Sequence, residues 1–379
     1  VYNVTMKGKP SIYITVFLLT SALCTQASEV GHSLNITHPA IPESSRMPSQ
    51  LIQVQDDQGN PQEYHMNVDS VVCGDEECEI IKVRIWWDVL GGYERYELPQ
   101  GANLTKMGHV PFTPEDHKKL HAILSDPTSA LAQYPVEELN SPATEEQAVD
   151  AVTTATPLFY QNTVVSGAVY TCYTLWHWAN GDATKKIRQW TEKSCALEQL
   201  LRYVDGKSDK LSVFAMEQLA KRGVYDQKIV DTVIARADQG DVLLAEAASN
   251  YFKSSLRKMG GVIYYNAMER LFEVADSQKR ILCLRSLSEV KAEAPDGFYD
   301  RMAAWLPRLE TYFEVNLLLT LLEKRASRPD ETVKHGLVVM DSKNFLIARR
   351  AFWFLDKQSL TAMQRSKVEA FRAKFEARL

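Results

Sequence analysis

The chain has 379 residues, 45% of them hydrophobic and 24% charged. That length supports two or more domains with a sizeable core, and the composition is that of a globular protein. The formal net charge of −5 supplies no basic footprint for nucleic acid. Beyond the N-terminal segment, no run reaches the roughly 20 apolar residues of a membrane-spanning helix.

Lys7 and Lys9 form a basic opening after Met6. An apolar run from about Ile12 to Leu23 follows, and Thr25-Gln26-Ala27 offers small residues for cleavage before Ser28. This is the layout of a secretory signal peptide over residues 1–27, and it predicts a periplasmic or extracellular mature chain. Residues 28–50 carry several serines and prolines and are predicted to be a flexible linker. From Leu51 the runs "LIQVQ", "QEYHMNVDSVVC", "CEIIKVRIWWDVL" and "YERYELP" are rich in Val, Ile and aromatics. Turn residues separate them, which predicts antiparallel strands, with Val83, Ile85 and Trp87 on one face and Trp86 opposite. Cys73 and Cys78 bracket "GDEE" in one such turn. In an oxidising compartment the pair reads as a structural disulfide, with a redox-active pair as the alternative.

"TPED" at Thr113–Asp116 supplies an N-cap, a first-turn proline and an acid at the third helical position. It predicts a helix whose buried stripe is Leu120, Ile123 and Leu124, stopped by "SDP". His117 and His121 stand four apart on it, a spacing that suits a metal, but "HKKLH" lacks the glutamate of a metalloprotease helix. A polar loop then leads to "DAVTTAT", residues Asp150–Thr156. "NTVVSGAVYTCYTLWHWANG" follows and predicts a buried helix, or a strand and helix, stopped at Asn180-Gly181. From residue 183 to 379, amphipathic segments recur without a strand signal, as in "KLSVFAMEQLAKRG" with Val213, Met216, Leu219 and Ala220 on one face. Taken as helix–turn–helix units of roughly 30–40 residues they resemble degenerate HEAT-type repeats, with an irregular helical bundle as the alternative. The fold class expected is α+β: a small antiparallel sheet with helices over residues 51–182, followed by an all-α domain over 183–379.

At Asp150–Thr156 the chain resembles the acceptor site of the FMN-binding domain of flavinylated extracytoplasmic electron-transfer proteins. The resemblance covers residues 51–182 at most. In that family an Asp is followed after two residues by Ser or Thr, usually Gly, and then Ala-Thr or Ala-Ser. The last hydroxyl is esterified to the FMN phosphate by a dedicated flavin transferase. The resemblance therefore implies Asp150 as the acid, Thr153 as the first hydroxyl, Ala155 as the alanine and Thr156 as the acceptor. Thr154 stands where the family usually has glycine. Flavin rings stack on aromatic side chains, which makes Tyr173 and Trp176 the candidates for ring contact. Lys106 and His109, in "LTKMGHVPF", are candidate donors to the N1–O2 edge of the ring.

The expected function is an exported electron carrier that binds FMN and is docked to a redox partner by the helical domain. No residue set reads as catalytic: there is no Gly-rich phosphate loop, no G-x-S-x-G and no nucleophile–His–acid combination. The alternative is an exported binding or scaffold protein without an enzymatic site, using its helices to hold other proteins.

Overall fold

The computed structural model describes residues 28–41, 48–71, 80–133, 163–325 and 329–379. It divides into two compact units, residues 1–191 and 192–379. The boundary lies at Thr191, nine residues beyond the expected one at 182.

The first unit is α+β. Its sheet is a five-stranded antiparallel meander in the order β1 (Ser28–Leu34), β2 (Ser49–Gln55), β3 (Pro61–Asp69), β4 (Lys82–Asp88) and β5 (Tyr93–Glu97). β1 corrects the linker expectation: residues 28–34 pair along their whole length with β2, from Ser28 opposite Gln55 to Leu34 opposite Ser49. Alternation puts Leu51, Tyr64, Met66, Val83, Ile85 and Trp87 on one face, all fully buried. Trp86 lies on the other face as expected, beside His65 at 4.5 Å and beneath the Arg95 guanidinium at 4.1 Å. Arg95 also pairs with Glu63 at 2.9 Å, so this second face carries a cation–aromatic ladder.

Three helices cover the buried face: α1 (Pro114–Leu124), α2 (Val169–Asn180) and the first part of α3 (Asp182–Ser194). α1 forms where its cap chemistry dictates. Thr113 and Asp116 make a reciprocal capping box, Pro114 opens the first turn, and Leu120, Ile123 and Leu124 are the buried residues. Polar tips anchor the layers. The Trp87 indole donates to the Ala179 carbonyl at 2.7 Å, and the Tyr64 hydroxyl meets Thr191 Oγ1 at 3.0 Å. Burying a side chain the size of Trp87 contributes about 3 kcal/mol, so these contacts set the depth of the core. Gly91, at φ 84°, ends the β4–β5 turn where an added Cβ would lie 2.5 Å from the Thr184 carbonyl oxygen.

The second unit is all α-helical among its described residues. It comprises α4 (Leu197–Asp205), α5 (Asp209–Arg222), α6 (Gln227–Gln239), α7 (Val242–Met259), α8 (Gly261–Val274) and α9 (Ser277–Glu289). α10 (Phe298–Ala303), α11 (Tyr312–Arg325), α12 (Pro329–Val339), α13 (Phe345–Leu355) and α14 (Ala362–Phe375) follow. Helices pack in successive pairs: α4 on α5, α6 on α7, α8 on α9, α10 on α11, and α12 on α13. They also pack on the next helix but one, α4–α6–α8 forming one row and α5–α7–α9–α11–α13 the other. Tyr265 of α8 meets Phe298 of α10 at 4.8 Å and extends the first row.

Each pair closes with local cap chemistry. Asp241 caps α7, Asp276 caps α9, and Gly223 ends α5 at φ 71°. Between α11 and α13 the buried Arg350 guanidinium donates to both carboxylate oxygens of Glu323 at 3.0 and 3.1 Å, and to Asn316 at 2.7 Å. A bidentate pair of this kind fixes the rotation of one helix against the next.

Candidate functional site

The residues proposed to receive FMN, Asp150, Thr153, Ala155 and Thr156, lie outside the described residues, as do Cys73 and Cys78. The chain is described again from Thr163, and the Val165–Ala168 turn leads into α2. That turn packs on a short hairpin, β6 (Thr105–Lys106) and β7 (Val110–Pro111), joined by a single 3-10 turn at Met107–His109. The Met107 amide donates to the Gly167 carbonyl at 2.7 Å, and a Cβ on Gly167 would stand 3.4 Å from Lys106 Cβ.

Lys106 and His109 therefore share one hairpin. Lys106 Nζ is 2.6 Å from Asp116 Oδ2, the same oxygen that accepts from the Thr113 amide and hydroxyl. The Lys106 ammonium beside it, and then the Thr113 donors, hold the Asp116 carboxyl below its ordinary range. The acid at the helix cap thus also positions the lysine. His109 sits at φ 57°, the only non-glycine with positive φ among the described residues. Gly108 beside it has φ 73°. Two consecutive left-handed residues make the turn tight enough to push the side chains between the strands outward. Met107 is 77% exposed and Val110 53%. This exposed apolar pair was not singled out in the sequence, where "KMGHV" reads as an ordinary polar turn.

Tyr173 and Trp176 are placed differently. Both lie in α2, 1% and 4% exposed, within the core. The Trp176 indole donates to the Asp126 carbonyl at 2.9 Å, and both rings pack on His177, at 4.3 Å for Tyr173 and 4.9 Å for Trp176. A flavin ring fits poorly there, because the faces of these side chains are already covered. At the hairpin, by contrast, exposed apolar surface and polar side chains stand together.

Two buried histidines of this unit, His38 and His177, work as hydrogen-bonding groups. His38 accepts from the Ala40 amide at Nδ1 and donates from Nε2 to the Thr174 carbonyl, both at 3.1 Å, which fixes its tautomer. Burial lowers its pKa to about 4. His177 donates to the Leu131 carbonyl at 3.1 Å, and burial lowers its pKa as well.

His117 and His121 each take a tyrosine of β5 as partner. Tyr96 Oη is 2.6 Å from His117 Nδ1, and Tyr93 Oη is 3.1 Å from His121 Nδ1. His117 Nε2 meets Asn103 Oδ1 at 2.7 Å. In a regular strand, residues three apart face opposite ways. The register shift in β4–β5, which pairs Tyr93 with Trp87 and Tyr96 with Ile85, turns both tyrosines toward α1. The imidazole pair is thereby occupied by phenols. Among the described residues no group of three or more His, Cys, Asp or Glu could hold a metal ion.

Cys172, Cys195 and Cys283 are all buried. Burial raises the Cys172 and Cys283 thiols to about 12, far from the thiolate chemistry of a redox cysteine. No described helix is long and apolar enough to cross a membrane. No family model matches the chain, and neither the curated proteins nor the solved structures contain a match to it.

Proposed function

We propose that this chain is an exported flavoprotein that binds FMN, covalently through Thr156, and passes electrons to a protein partner docked on its helical unit. The observation that carries the reading is the acceptor-like sequence Asp150–Thr156 and the surface it leads to. Thr163 follows Thr156 by seven residue steps, a span of at most about 25 Å. The chain then enters the turn whose Gly167 carbonyl holds the Met107 amide. A cofactor tethered at Thr156 is within reach of the β6–β7 hairpin. Met107 and Val110 would supply the apolar surface under the ring, and His109 a donor to its N1–O2 edge, joined by an N–H of the Lys106 ammonium that is not used on Asp116.

Bound FMN would supply the one- and two-electron chemistry. The protein's part would be to hold the phosphate as an ester, support one face of the ring and set the charge beside it. A tether of this kind prevents loss of the cofactor outside the cell. Tyr173 and Trp176 would act from beneath, by keeping α2 and the Gly167 turn in place. The paired helices of the second unit support a HEAT-like array, a form suited to holding a protein partner.

The full chain, co-expressed with a flavin transferase, should yield a Thr156-containing peptide heavier by one FMN phosphoryl group. Thr156→Ala should abolish the added mass. An unmodified peptide from the wild-type chain overturns the covalent reading, and a colourless protein that takes up no flavin on reconstitution overturns the cofactor altogether. In that event the second reading stands: an exported binding protein whose function resides in the helix rows, favoured by their side-by-side packing.

A further inference from the structure

The second unit contains a cleft that the electron-transfer reading does not use. It opens between the α12–α13 loop, the start of α13 and the C-terminal half of α14, and encloses about 460 Å³. That is the size of a small-molecule site. Its walls are aromatic: Phe345, Phe371 and Phe375, with Phe371 and Phe375 in contact at 4.7 Å and Phe345 and Phe375 at 5.3 Å.

Its rim is cationic. Lys343, Lys367, Lys374 and Arg378 line it, against the single acid Asp341. Asp341 is taken by Lys367 at 2.6 Å. The other three cations make no ion pair among the described residues. Two of them rest on the aromatic walls instead: the Arg378 guanidinium lies 3.9 Å from the Phe345 ring centre and Lys374 Nζ 5.2 Å from that of Phe375. A cation on a ring face keeps its charge available to an anion, whereas one beside a carboxylate does not. Phe345 is also the first residue of α13, so the positive end of that helix opens on the same cleft.

We propose that this cleft binds a small organic anion with a flat apolar body, an aryl phosphate or aryl carboxylate in chemical class. The apolar body lies against the wall that Phe345, Phe371 and Phe375 form together, and the acid group faces Lys343, Lys374 and Arg378. Each half of the site explains why the other is present. Aromatic walls alone would take any apolar molecule, and exposed cations alone would exchange freely with salt.

Calorimetric titration of the full chain tests this, with 1-naphthyl phosphate as the probe and 1-naphthol and inorganic phosphate as its two halves. The expected result is saturable binding of 1-naphthyl phosphate, with each half binding at least about tenfold more weakly. Lys374→Glu and Lys343→Glu, at exposed positions outside the packed core, should each weaken it about tenfold without changing the thermal melt. Phe371→Ala should weaken it as well. Absence of binding to the wild-type chain overturns the proposal. So does an affinity unchanged in both charge-reversed variants, which would put the ligand elsewhere on the molecule.

Discussion

Acid should loosen the first unit through His38. This imidazole joins the loop after β1 to α2, receiving the Ala40 amide and donating to the Thr174 carbonyl, and it is 1% exposed. Its folded-state pKa is about 4, against 6.5 for the ordinary side chain, with burial the main cause and the neighbouring His177 a lesser one. The neutral form is the one the fold accepts, so the unfolded chain binds the proton first. Stability from this group is fully present above about pH 6.5 and is lost as the pH falls toward about 4. The loss amounts to about 2 kcal/mol by about pH 5 and about 3 kcal/mol below about pH 4.

Burial also lowers the pKa of His65, His117 and His177, and their contributions run in the same direction. The assay therefore compares the wild type with His38→Gln, whose amide can accept at one end and donate at the other without titrating. Urea unfolding at about pH 7.5 and about pH 5 can be followed by tryptophan fluorescence, since Trp86, Trp87, Trp176, Trp178 and Trp190 all lie in this unit. The variant should lose about 2 kcal/mol less than the wild type over that interval. Equal losses in the two proteins would mean that protonation of His38 does not drive the acid effect.

Trp87→Phe keeps an aromatic side chain but removes the indole N–H and part of the buried ring, and leaves the Ala179 carbonyl without its 2.7 Å donor. Chemical denaturation should show a loss of about 1–3 kcal/mol, read from the first unit's transition. Arg350→Met should cost the helical unit about 2–3 kcal/mol, because Glu323 and Asn316 lose their shared guanidinium; a thermal melt by circular dichroism measures it. Cys172, Cys195 and Cys283 should resist a thiol reagent in the native chain and react once urea unfolds it, since all three are buried. Peptide mapping after labelling would show this.

What could be read from the sequence was what local chemistry decides. The α1 start was legible because Thr113, Pro114 and Asp116 specify it within four residues, and its buried stripe follows from helical spacing alone. Val83, Ile85 and Trp87 were legible as a buried face because β4 alternates. β1 was not, because "SEVGHSL" is an edge strand held by backbone pairing, exposed over most of its length, and carries no alternation. The two tyrosine–histidine pairs were equally hidden, since the β4–β5 register shift that turns Tyr93 and Tyr96 to one side is set across strands.

For the candidate site, the sequence singled out Lys106 and His109, which the fold places on one hairpin, while the motif lies outside the described residues. It did not show that Tyr173 and Trp176 face inward. α2 is buried from Thr171 to Trp176 and again at Trp178 and Ala179, so no hydrophobic stripe marks an exposed side. Nor did it show Met107 and Val110 as exposed apolar surface, which depends on the left-handed turn at Gly108 and His109.

Whether Thr156 carries flavin is decided by intact-mass and peptide mass spectrometry of the chain made alongside a flavin transferase. One FMN phosphoryl group is expected on the Thr156 peptide of the wild type and none on Thr156→Ala. A wild-type peptide of unmodified mass, from cells in which the transferase modifies a known acceptor, would contradict it.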